Sequence, residues 1–406
     1  MVKVDVNWTP TRLRSLLSQD ATYGIVKAGT FVQNGVPMIR GGDIKGGRIG
    51  RDMPLVSESK SEEYKRTVLK RGDVLIALVG YPGESAVVPH DLEGANISRA
   101  VGLLRPGKGL LPEFLCCYLN SSIGRSEFLK PSAGSAQIVV NLRDLNNLSV
   151  PLPRDIDEQK AVAEALSDAD ALIESLESVI TKKNWILDGA TESLLSGHIR
   201  LPGFRSSWSA KTIGDFYDFK NGLNKEKRFF GFGTPIINYV DVFSKPFVTP
   251  SEIAGCVSLT YAERENFSAR NGDVFFTRTS ETVDEIGLSG VLLGDLPDAV
   301  FSGFLLRARQ KTDEILPLFA AYLFRSPAVR RQIISKASYT TRALTNGRAL
   351  SAVKIDIPPR DEQAAIASTI SDMGRELTEL NAQLRKVKLL KEGMRHALLT
   401  EGVRLV

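Results

Sequence analysis

The chain has 406 residues, of which 43% are hydrophobic and 24% charged, with a formal net charge of +5. This length exceeds one ordinary domain, the apolar content excludes global disorder, and the mild basicity permits a polyanionic partner without requiring one. Three cysteines, two of them adjacent (Cys116 and Cys117) and one apart (Cys256), do not make a disulfide framework.

The N-terminal MVKVDVNWTPTRL lacks the apolar centre of a signal peptide, and no apolar run reaches the roughly 18 residues of a membrane span. A reduced, soluble, cytoplasmic protein with no membrane association is expected.

Residues 1–153 read as a mixed α/β domain. RGDVLIALVG at 71–80 has the form of a buried strand opened by a Gly-Asp turn, and PEFLCCYLNSSIGRSEFLK from 112 has helical form. Between them, GLLRPGKG at 102–109 approaches a phosphate loop. Gly109 stands where the magnesium-binding Ser or Thr is required, and Pro106 removes an amide, so the segment reads as a turn between strand and helix.

Residues 154–199 read as one helix. Its apolar seam runs Val162, Leu166, Ala169, Ile173, Leu176, Ile180 and Leu187, in alternating steps of four and three, broken by Lys183 and Asn184. Residues 200–357 form a second mixed domain, with NGDVFF at 271 and PLFAAYLFRSPAVRRQIISK from 317 echoing the first. Residues 358–406 form a second helix. Its seam runs Ile366, Ile370, Met373, Leu377, Leu380, Leu384, Val387 and Met394, broken by Lys391.

The two helical segments repeat each other. Residues 157–201 align with 361–405 without a gap, with 14 identities in 45 positions. DEQKAVAEALSD opens the first copy and DEQAAIASTISD the second. The acids of both phrases suit the positive end of a helix dipole. Two matched helices separated by a globular domain are expected to pack on each other in antiparallel fashion. The fold class that follows is α+β: two mixed domains, two long helices forming an antiparallel coiled coil, and a pseudo-twofold internal repeat.

Catalytic patterns are missing. There is no Cys-x-x-Cys or His-x-x-x-His metal spacing, only three histidines, no Asn-Pro-Pro-Tyr or Asp-Pro-Pro-Tyr element, and no glycine-rich cofactor loop. The chain is therefore expected to catalyse nothing by itself and to hold no metal.

The loops instead carry the side chains that phosphates and base edges require. In the first half these are Arg40, Lys45, Arg48 and Arg51 among glycines, with Ser135, Gln137 and Arg143 further on. In the second they are Lys220, Lys225, Lys227 and Arg228 beside Phe229 and Phe230, and Tyr339, Thr341, Arg342 and Arg348. Tyr81, Arg99, Tyr239 and Arg278 complete the set of candidate DNA contacts. A coiled-coil scaffold whose globular halves bind proteins, or an enzyme with an unfamiliar site, would present similar loops.

SVPLPRDIDEQKAVAEALSDADALIESLESVITKKNWILDGATESLLSG and IDIPPRDEQAAIASTISDMGRELTELNAQLRKVKLLKEGMRHALLTEGVRL resemble the two spacer helices of type I restriction–modification specificity subunits. RGDVLIALVG and GSAQIVVNLRDLNNLSVPLP resemble scaffold segments of that family's target-recognition domains. The first frame, PLPRDIDEQ, is two residues longer than IPPRDEQ.

The resemblance implies a DNA-recognition subunit whose two domains each read one half of a split, asymmetric double-stranded target. The coiled coil would set the spacer. Two modification subunits would supply adenine methylation with S-adenosylmethionine, and restriction–translocation subunits would use ATP and Mg. This chain would carry no cofactor of its own. None of the loop contacts is carried over from the family.

Overall fold

The computed structural model describes residues 8–130, 141–339 and 341–400. The chain forms two compact units: Met1–Glu177 with Ala382–Val406, and Ser178–Asn381. The division falls inside both long helices, Ile156–Leu195 and Arg360–Thr400, so each unit contains one end of each.

In the first unit, four antiparallel strands lie in the order Thr22–Tyr23, Val101–Leu104, Val74–Ala77, Ser85–Val87. Val74–Ala77, the strand expected from RGDVLIALVG, is buried throughout because both its faces are covered. Val74 and Ile76 pack with Phe114 and Leu115 of helix Pro112–Leu119. Leu75 joins Ile39, Ile44, Ile97 and Leu103 in a second core.

The Gly-Asp turn before the strand has a specific task for each residue. Gly72 has φ +83°, a left-handed conformation that a side chain would strain. Asp73 accepts from Lys70 N at 2.8 Å and from Arg105 Nε and Nη2, both at 2.7 Å.

The second unit repeats this plan. Its sheet runs Tyr217–Asn221, Leu305–Gln310, Val274–Thr277, Ser289–Leu292, Phe247–Val248, with only the last pair parallel. Asp273 again accepts two bonds from an arginine, Arg309 Nε at 2.8 Å and Nη2 at 2.6 Å. Val274 and Phe276 face helix Pro317–Leu323, and Phe275 faces Ile237, Phe301 and Leu305.

The apolar seams hold the long helices in place. In the first unit, Val162 and Leu166 bury against Leu398, Leu399 and Phe114 in one core. Leu176 is buried, and Ile173, Leu384 and Val387 are half-buried. Lys388 Nζ meets Glu177 at 2.7 Å and Lys391 meets Asp170, so numbers rise on one helix as they fall on the other.

In the second unit, Ile366 and Ile370 bury against Leu194 and Leu195, with Leu187 packed alongside. Ile180 and Leu377 are buried and Leu380 is half-buried. Lys183 pairs with Glu376 at 2.7 Å. The pairing is antiparallel in each unit. Met394 departs from the expected seam and is exposed.

The repeated DEQ phrase fastens these helices to their domains. Gln159 is buried. Its Oε1 accepts from Leu111 N at 2.8 Å, and its Nε2 donates to Gly109 O at 3.0 Å and Pro153 O at 3.1 Å. Gln363 repeats the arrangement: Leu316 N at 2.8 Å, with Glu314 O and Pro358 O both at 2.9 Å.

The glutamates also turn inward. Glu158 accepts from Trp8 Nε1 at 3.3 Å, and fully buried Glu362 from Trp208 Nε1 at 3.1 Å and Arg200 Nη2 at 2.6 Å. The helix-dipole role expected of the phrase therefore falls to Asp157 and Asp361, the exposed acids of each first turn.

Candidate nucleic-acid interface

The basic loop at 40–51 of the first domain divides into three parts. Arg40 is exposed, and its guanidinium grips Asp43 (Nη2–Oδ1 2.8 Å) and donates to Asp52 O at 3.1 Å. Lys45 and Arg48 stand opposite each other on a hairpin whose turn residues, Gly46 and Gly47, both have positive φ. Gly46 N donates to Glu84 Oε2 at 2.9 Å, and Arg48 Nη1 donates to Glu174 of the first long helix at 2.6 Å. Arg51 pairs with Asp91. Three of the four cations thus hold carboxylates within the unit, which their glycine-rich surroundings did not foretell.

A close backbone approach gathers other candidates. A Cβ on Gly41 would lie 2.3 Å from Val79 O and 3.2 Å from Ala100 O. Only glycine allows this packing, which brings Arg40, the Val79–Tyr81 turn and Arg99 to one edge of the domain. Arg99 and Tyr81 are exposed there, as are the apolar Val26 and Val79. Arg143 lies elsewhere, exposed on the short helix Leu142–Asn147 that Asn141 caps. Ser135 and Gln137 lie outside the described residues.

The second domain builds a corresponding edge with different side chains. Half-buried Tyr239 stacks on Phe243, and Arg278 N donates to the carbonyl of exposed Phe304 at 2.9 Å. Strand Thr279–Ser280 then pairs with Ala343–Leu344, which pairs with Ser338–Tyr339. This small sheet carries Tyr339, which is 61% exposed, together with Thr341 and Arg342; Arg342 lies 3.6 Å from Glu281. Arg348 is exposed on the short helix Gly347–Ser351.

Lys220, Lys225, Lys227 and Arg228 occupy another region, beside helix Tyr261–Asn266. Lys220 donates to Asn266 at 2.6 Å and Lys225 to Glu263 at 2.7 Å. Lys225 and Arg228 both lie over the Phe229 ring, and Lys227 is exposed. The Lys225 ammonium, with Thr260 at the helix cap, pulls the Glu263 carboxyl down to about 2.

Sequence reasoning passed over several exposed groups. Phe304, Val240 and Val79 lie at or beside the two edges. On the long helices, Trp185 (70% exposed) and Ile186 recur one repeat later as Leu389 (75% exposed) and Leu390. Their shared offset of 204 residues was the available signal.

Each unit also has a cleft between domain and helices. One of about 990 Å³ is lined by Cys117, Asn120, Ser167 and Asp170, and one of about 850 Å³ by their counterparts Tyr322, Arg325, Ser371 and Gly374. No group of three or more His, Cys, Asp or Glu able to hold a metal occurs among the described residues. Among the same residues, no helix is long and apolar enough to cross a membrane.

Known proteins share this organisation. The family model for the type I restriction modification DNA specificity domain matches twice, at residues 5–183 and 205–389. The chain is 22% identical to the type I restriction enzyme EcoKI specificity subunit of Escherichia coli (strain K12), over 99% of this chain and 89% of that one. It is 27% identical to the EcoBI specificity subunit of Escherichia coli, over 55% of this chain and 46% of that one.

The fold resembles the HsdS subunit from Thermoanaerobacter tengcongensis, with a TM-score of 0.55 at 18% identity and 98% of each chain covered. It also resembles the type I restriction-modification S subunit from M. genitalium, with a TM-score of 0.54 at 15% identity, over 97% of this chain and 96% of that one. With one family model covering both halves, the chain belongs to the type I restriction modification DNA specificity family.

Proposed function

We propose that this chain is the non-catalytic DNA-recognition subunit of a type I restriction–modification complex. Each domain reads one half of a bipartite, asymmetric target, and the paired helices fix the spacer. One observation carries this reading: the two domains build the same edge and furnish it differently. Arg40, Tyr81 and Arg99 mark the first, and Tyr239, Arg278, Phe304 and Tyr339 the second. Arginine and aromatic side chains on equivalent scaffolds suit two readers of unlike sequences.

The helices are stiff elements, and half-sites one turn apart on DNA are separated by roughly 34 Å. The paired apolar sites at Trp185–Ile186 and Leu389–Leu390 suit two copies of a modification subunit, which would bring S-adenosylmethionine. Restriction subunits using ATP and Mg complete the assembly in the cytoplasm. A protein-binding scaffold would not need arginine-bearing edges on both domains.

The test is methylation mapping with the intact complex. Tyr339→Ala or Arg342→Ala is expected to relax one half-site by about 1–3 kcal/mol per base pair and leave the other unchanged. Four residues inserted near Ser178 are expected to change the spacer or abolish recognition, with half-site identities retained. Sequence-independent binding by the wild-type complex, or an unchanged spacer, refutes the reading.

A further inference from the structure

The internal repeat provides a control for every position in the sheet. In the first domain, Thr22 stands opposite Leu103 on neighbouring strands. At the same register in the second domain, Lys220 stands opposite Arg307. The equivalence is fixed by the flanking pairs: Tyr23 opposite Gly102 and Asn221 opposite Leu306. Two residues on, Arg105–Asp73 and Arg309–Asp273 occupy matching places. The fold therefore does not need cations at this position.

Holding them there is unfavourable. Like charges directly opposite on adjacent strands repel, and a buried charge without a counter-ion is destabilising. Arg307 is only 8% exposed. Its Nη1 donates to Ser268 O at 2.6 Å and its guanidinium lies 5.4 Å from the Phe301 ring centre, but its Nε is buried without a partner. The nearby carboxylate, Asp273, is held at both oxygens by Arg309. Lys220 donates to the neutral Asn266 and lies 5.9 Å from the Phe267 ring centre, with no carboxylate paired to it among the described residues. Burial lowers the affinity of both groups for their protons and the neighbouring arginines lower it further, with Asp273 acting in the opposite direction on Arg307. An anion with several acceptor oxygens would offset the charge of this cluster and could take up the buried Arg307 Nε.

We propose that Lys220 and Arg307 form a phosphate-binding site on the second domain, occupied by a DNA backbone phosphate and without counterpart in the first domain. The site rests on the reading of the chain as a DNA-recognition subunit. It makes the two domains unequal: both read bases, but the second takes an additional sequence-independent hold on the duplex. Lys225 and Arg228 lie over Phe229 in the same domain, each paired with a carboxylate, Glu263 and Glu226.

The decisive variant is K220T/R307L, which installs the first domain's own pair and so remains compatible with the fold. The full-length variant is expected to unfold about 2–4 °C higher than wild type, because the repulsion is gone. Inorganic phosphate, compared with chloride at equal ionic strength, is expected to stabilise the wild type and leave the variant unmoved. In complex with modification subunits, the variant is expected to bind specific and unrelated duplexes more weakly by one common factor. Its slope of log Kd against log salt should fall by about one.

A variant less stable than wild type, or an equal response of both proteins to phosphate, overturns the site. A selective phosphate response with an unchanged salt slope overturns the assignment to DNA. A wild-type complex that binds no DNA, with the phosphate response intact, overturns the functional reading and leaves an anion site standing.

Discussion

Replacing Gln363 with Ala probes the fastening of a long helix to its domain. The substitution removes three hydrogen bonds at once, to Leu316 N, Glu314 O and Pro358 O. A neutral hydrogen bond contributes about 1 kcal/mol net, and a stranded buried polar group costs about 1–3 kcal/mol. Three bonds give a loss of roughly 3–5 kcal/mol, with water entry drawing the value toward the lower end. For a unit of this size that is a fall in unfolding midpoint of about 6–20 °C.

Gln363→Glu is expected to be worse than Ala at neutral pH. A carboxylate cannot donate to Glu314 O and Pro358 O, and its charge would be buried. Urea unfolding gives the loss, and hydrogen exchange locates it. Exchange over 314–324 should rise while exchange over 109–119, held by Gln159, stays constant; Gln159→Ala should give the opposite pattern. A loss under about 0.5 kcal/mol, or equal loosening of both segments, refutes the fastening role.

Three further outcomes follow from the geometry. Asp73→Asn and Asp273→Asn each remove the charge from a buried carboxylate held by arginine, and about 2–3 kcal/mol of destabilisation is expected after discounting the partial exposure of the arginines; denaturant titration of each variant measures it. Because the folded pKa of Glu263 is depressed to about 2, its stabilisation is present above the ordinary carboxylate range near 4.3 and is lost as pH falls toward 2. Glu263→Gln should therefore destabilise the protein at pH 7 and have a much smaller effect at pH 2, read by urea unfolding at both. Burial pushes the Cys117 thiol up to about 11 and that of Cys116 to about 12, so alkylation by iodoacetamide should be slow at pH 8 and accelerate only toward pH 11; fast labelling of either at pH 8 contradicts the burial.

The long helices and the two sheets were legible because their signals are local. A four-and-three apolar spacing and a Gly-Asp turn before an apolar run need no distant partner to be read. Gln159 and Gln363 were not legible in the same way. An amide in a first helical turn ordinarily faces water, and its burial here depends on Leu111 and Leu316, roughly 50 positions away. The clue was its retention in both repeats while the next residue changes from Lys160 to Ala364.

The ion pairs of Arg48 and Arg51 were hidden for the same reason. Glu174 and Asp91 reach them across the fold. Arg307 alternates with Leu306 and Ala308 as an outward-facing strand residue would, but its face of the sheet carries a second core, with Phe301 and Leu305, and the Ser268 loop. The edge at Arg40, Tyr81 and Arg99 required the close approach at Gly41, which no spacing reveals.

The division of the molecule has a consequence for its synthesis. The second unit is one contiguous stretch, Ser178–Asn381, and can consolidate as soon as that stretch has left the ribosome. The first unit cannot. Val162 and Leu166 wait for Leu398 and Leu399 to complete their core, so it closes only after the whole of the second unit has been made. The domain made first is thus the last to mature, and during that interval its unfilled apolar groove is the nascent chain's main exposure to misassembly and to chaperones.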